Sequence, residues 1–98
     1  MLKQYLADDP TDDFSQYALA LEYINLKNTG DAILLLEQLI NRAPDYLACY
    51  YQLGKLYEAT GKLPLAIVTF EKGIEVARNQ KDQKTLNELR SALDMMEE

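Results

Sequence analysis

Three groups of residues in this chain have side chains that chemistry uses. Four aspartates stand around a proline in Asp8-Asp9-Pro10-Thr11-Asp12-Asp13. Tyr50, Tyr51 and Tyr57 crowd into "YYQLGKLYEATGK" beside Lys55, and Cys49 stands just before them. Carboxylates gather around calcium, but a calcium loop needs a longer ligand array with a central glycine and a closing glutamate, and neither follows here. The aspartates read instead as helix caps and solvated charge. Cys49 has no base beside it in sequence, and the chain has no histidine. That removes Ser-His and Cys-His pairs, and histidine metal ligands with them. A free cysteine without such a partner packs as a small apolar residue. No glycine-rich phosphate loop follows a strand, because no strand pattern exists. The residues therefore predict no enzyme, no cofactor and no metal, and leave the tyrosines as packing or contact groups.

Composition narrows the partners. At 98 residues the chain has the size of one small domain, and 48% of it is apolar. The formal charge of −6 argues against nucleic acid, which demands a basic face. One cysteine excludes an internal disulfide and fits a reducing compartment. The start "MLKQYLADDP" lacks the apolar core of a secretory signal. The longest apolar run, Ala32 to Leu36, is far short of the roughly 20 residues that cross a membrane. The expectation is a soluble, cytoplasmic protein with no membrane insertion.

The elements that position these residues follow from a repeat. At a spacing of 34, Pro10 matches Pro44, Leu19 matches Leu53, Ala20 matches Gly54 and Tyr23 matches Tyr57. Further on, Ala32 matches Ala66, Ile33 matches Ile67, Leu36 matches Phe70 and Ile40 matches Ile74. Start and stop signals cut each unit into two helices. The first helix opens at Pro10 to Asp13 and stops at Asn28-Thr29-Gly30, and the second runs from a capping Asp31 to Pro44. The third stops at Gly61, and the fourth carries Pro64 in its first turn. A fifth amphipathic helix places Leu86, Leu89, Leu93 and Met96 at helical spacing, with Lys84, Asn87, Glu88 and Asp94 on its outer face. Residues 2–8, with Leu2, Tyr5 and Leu6, read as the last turns of a helix from a truncated preceding unit.

The 34-residue helix–turn–helix unit resembles the tetratricopeptide repeat. The second unit carries the resemblance in Tyr50, Leu53-Gly54, Tyr57, Ala66, Phe70 and Gly73, with Arg78 where the pattern has proline. The first carries it in Leu19-Ala20, Tyr23, Ala32, Leu36, Leu39 and Pro44, with Gln16 at the large position. The resemblance implies an all-α, right-handed α-solenoid of antiparallel helix pairs. The expected parts are a partial helix over 1–9, repeats over 11–44 and 45–80, and a capping helix over 82–97. Small residues at Ala20, Gly54, Ala32, Ala66 and Gly73 fit that packing, since they let helix axes approach.

The resemblance also implies a non-catalytic protein–protein interaction module. Such repeats bind a peptide or helix in a concave groove lined by the first helix of each unit. The groove positions fall on Phe14, Tyr17, Leu21 and Ile24, then on Ala48, Tyr51, Gln52, Lys55 and Glu58, then on Lys84, Asn87 and Ser91. Leu21 stands where a lysine–asparagine carboxylate clamp expects a polar residue, so a partly apolar, aromatic groove for an amphipathic segment fits better. The alternative is homo-oligomeric assembly, with a homodimer formed through an apolar face around Leu34 and Leu35. Two repeats fall short of the three usually needed for a stable solenoid, and dimerisation supplies more burial.

Overall fold

The computed structural model describes residues 12–96, so the expected helix over 1–9 lies outside the described residues. Five helices and no strand occur among the described residues. This is the expected all-α architecture. The helices form two compact groups, residues 12–44 and residues 45–96.

The first group is a helix pair, α1 (Asp13–Asn25) and α2 (Thr29–Arg42). Asp12 caps α1: its carboxylate accepts from the Phe14 N–H at 3.1 Å and from Ser15 Oγ at 2.7 Å. Leu19 and Ala20 of α1 are buried, as are Ala32, Ile33, Leu36 and Leu39 of α2. The first turn of α1 meets the last turn of α2 where Arg42 Nη2 and Nε donate to Asp13 Oδ1, at 2.6 and 3.1 Å. Both side chains are well exposed, so this pair contributes at most about 1 kcal/mol.

The second group contains α3 (Ala48–Ala59), α4 (Leu63–Asn79) and α5 (Gln83–Met96). Helix α4 packs against both of its neighbours. Glycine makes this closeness possible. A Cβ on Gly73 would lie 2.7 Å from Tyr50 Cβ on α3 and 3.0 Å from Leu89 Cδ1 on α5. Gly54 presses likewise on the Phe70 ring, which is fully buried. A glycine costs about 0.5–1 kcal/mol inside a helix, and here the close contact with each neighbour offsets it. Gln80 Nε2 donates to the Asp45 carbonyl at 2.6 Å and ties the end of α4 to the start of the group.

Three turns share one closing device. After α1, the Lys27 N–H donates to the Ile24 carbonyl and the Asn28 N–H to Tyr23. After α3, Gly61 and Lys62 donate to Glu58 and Tyr57, and after α4, Lys81 and Asp82 donate to Arg78 and Ala77. Each is the paired hydrogen-bond pattern of a Schellman cap, whose hinge residue is left-handed. The hinge φ is 61° at Lys27, 80° at Gly61 and 59° at Lys81. Here the sequence reading needs adjusting. It placed the first stop at Asn28-Thr29-Gly30, but Lys27 makes the turn and Asn28 precedes α2, so Thr29 and Gly30 are helical. A lysine took the place that glycine marks one repeat later.

Candidate interaction groove

The groove is built by residues one helical turn apart on two helices. On α3, Tyr51 and Lys55 stand four apart and share a face. On α5, Asn87, Ser91 and Met95 form a line at the same spacing, with Glu88 and Ala92 beside it. The two faces meet across one shallow depression with a volume of about 330 Å³. A small-molecule site encloses most of its ligand, whereas this depression is wide open and suits a side chain or two of a larger partner.

Each wall has an internal anchor. The Tyr51 ring lies 6.4 Å from the Phe70 ring, tilted by 53°, so the buried aromatic of α4 supports it from behind. Lys55 Nζ stands 3.4 Å from Glu58 Oε1 on the next turn. That oxygen is buried and accepts no hydrogen bond from the described residues, so the ammonium beside it supplies the compensating charge. Asn87 Oδ1 accepts from Gln83 Nε2 at 2.9 Å, which holds its amide in place. Ala92 is buried and forms floor, whereas Met95 is 71% exposed.

Of the expected groove residues, Tyr51, Lys55, Asn87 and Ser91 line this depression. Gln52 is half-buried and Lys84 is exposed, and neither lines it. Phe14, Tyr17, Leu21 and Ile24 form a stripe along α1 in the other helix group. Phe14 is 69% exposed there and the other three are half-buried. Leu34, 54% exposed, and half-buried Leu35 line a second depression of about 230 Å³ with Leu19, Tyr23, Asp31 and Gln38. Sequence reasoning did not name Glu88, Ala92 and Met95 as groove positions, and they also line this depression. Their signal was present, because Glu88 and Ala92 neighbour Asn87 and Ser91, and Met95 follows Ser91 by one turn. It also passed over Leu63, Leu65 and Val68, which α4 leaves about half exposed.

A sequence model described as tetratricopeptide repeat matches residues 23–93, most of the chain. The chain belongs to the tetratricopeptide repeat family. Among solved tetratricopeptide repeat structures it is similar to a domain protein from Salinibacter ruber, determined by solution NMR. The two are 46% identical, with 91% of this chain and 90% of that chain covered and a TM-score of 0.86. A crystal structure of a Salinibacter ruber tetratricopeptide repeat domain protein gives 45% identity, coverage of 88% and 97%, and a TM-score of 0.85. A solution structure of a Bordetella parapertussis protein, 23% identical over 97% of this chain and 83% of that chain, shares the fold with a TM-score of 0.84. No curated protein matches this tetratricopeptide repeat chain. Among the described residues, none of its helices is long and apolar enough to cross a membrane.

Proposed function

We propose that this tetratricopeptide repeat chain is a non-catalytic interaction module that captures a partner peptide or helix in the α3–α5 groove. The observation that carries the proposal is the convergence of Tyr51, Lys55, Asn87 and Ser91, named from sequence alone, on one depression. The chemistry of the lining supports it. An aromatic ring, an alanine floor and a flexible methionine offer apolar contact, while Lys55, Asn87 and Ser91 offer hydrogen bonds at the rim. The α1 stripe of Phe14, Tyr17, Leu21 and Ile24 is a separate apolar surface on the first helix pair, and Gln52 and Lys84 on the second group offer further polar contacts. Such a module needs no cofactor.

The test is titration of a co-purifying partner against Ser91→Trp and Lys55→Glu variants. Ser91 is exposed, so the indole fills the depression without entering the core. Binding weakened at least tenfold by Ser91→Trp is the expected result, and unchanged binding by both variants sinks the groove.

A second reading, assembly of identical chains, has its own observation in the exposed Leu34. Sedimentation of Leu34→Glu against the parent chain separates the two readings. A dimer that the substitution dissociates favours assembly, and monomers in both cases remove it.

A further inference from the structure

We infer that the α3–α5 groove selects a segment carrying a basic side chain one helical turn from a long apolar one, an inference that rests on the groove reading above. The depression has two ionised residues in its lining, and they are not equivalent. Lys55 is already opposed by Glu58 at 3.4 Å, so a partner carboxylate meets an ammonium that has its own counter-charge. Glu88 stands on the opposite wall with no ion pair among the described residues. Lys84, one turn earlier on α5, lies outside the depression and makes no ion pair with it. The charge left unanswered in the groove is therefore negative, in a chain whose formal charge is −6.

The apolar ground lies one turn beyond that carboxylate. Ala92 follows Glu88 by four residues, and Met95 and Tyr51 flank it. Residues four apart on a helix stand about 5–6 Å apart, so a helical partner with Lys or Arg three or four places from Leu, Met or Phe matches both features at once. Charge of this kind at an exposed rim steers and selects more than it tightens, and salt screens it.

The experiment is selection of displayed random peptides on the full chain, followed by anisotropy titration of the enriched peptides. Enriched sequences should pair a basic residue with an apolar one at that spacing. Glu88→Lys should weaken them about threefold to tenfold, because one attractive surface pair becomes repulsive, and added salt should weaken them too. Peptides lacking a basic preference, or indifferent to Glu88→Lys, overturn this inference. If those peptides still lose binding to Ser91→Trp, the groove itself stands. Peptides that bind Ser91→Trp as well as the parent chain, or no enrichment at all, overturn both readings. A dimer that Glu88→Lys dissociates overturns the inference by making a second copy the occupant.

Discussion

Gly54 and Phe70 are fitted to one another: a Cβ on Gly54 would fall 2.7 Å from both Cδ1 and Cζ of the buried ring. The Gly54→Ala substitution forces the ring to move in a closed site. Overpacking of this kind costs about 1–3 kcal/mol, which exceeds the roughly 0.5–1 kcal/mol that alanine gains over glycine in a helix. Urea unfolding should therefore show a net loss, and adding Phe70→Leu should recover part of it, a coupling that a double-mutant cycle reads directly. Gly73→Ala should cost more, since the opposing atom is Tyr50 Cβ, which is bonded to the backbone and cannot rotate away.

Lys27 and Lys81 occupy left-handed backbone, with φ of 61° and 59°. A side chain there strains the backbone by roughly 1–2 kcal/mol, which glycine escapes. Lys27→Gly and Lys81→Gly should each raise stability by about 0.5–1 kcal/mol, after the greater entropy of glycine in the unfolded chain is deducted. Gly61→Ala, the same change in reverse, should lower it. Thermal melts of the three variants check the sign at every site.

Two groups among the described residues link stability to pH. Burial raises the Tyr50 phenol, with Cys49 and Asp45 adding to the effect. The unfolded chain loses that proton near the ordinary value of 10.0, whereas the folded chain keeps it to higher pH. Stability should thus be unaffected by this group below about pH 10 and fall above it. Hydrogen bonds from the Thr85 N–H and hydroxyl lower Asp82, whose ordinary value is 3.8. Its contribution should be present above that value and vanish as the pH falls through the lower folded one. Asp82→Ala should then be less stable than the parent chain at neutral pH, and the gap should close on acidification.

Cys49 is fully buried. A thiol reagent should leave it unmodified in the native protein and label it once denaturant unfolds the chain. Rapid labelling under native conditions contradicts that burial.

The spacing of small and large residues made the fold readable. Gly54 and Gly73 are where the helices touch, Ala32 and Ala66 are fully buried, and Leu36 and Phe70 fill the core as their repeat positions imply. The lining of the α3–α5 depression was half readable. Tyr51 and Asn87 could be placed because each sits at a fixed offset from a packing residue, Tyr50 and Leu86. Met95 and Ala92 escaped because alanine and methionine give the same pattern whether they face a core or a cleft. The first turn was misplaced for a related reason: Lys27 carries no sign that its backbone is left-handed, whereas Gly61 does.

The Tyr51 ring neighbours Phe70 and also lines the depression. The chain has no tryptophan, so its ultraviolet emission comes from tyrosine alone. A tryptophan carried into the depression by an incoming segment draws that light by energy transfer. Moving the tryptophan along the segment, against the parent chain and against Tyr51→Phe, then shows which positions come near Tyr51, since the substitution removes that residue's share of the transfer from the seven tyrosines. Docking can be followed on unlabelled protein, by light that its own tyrosines emit.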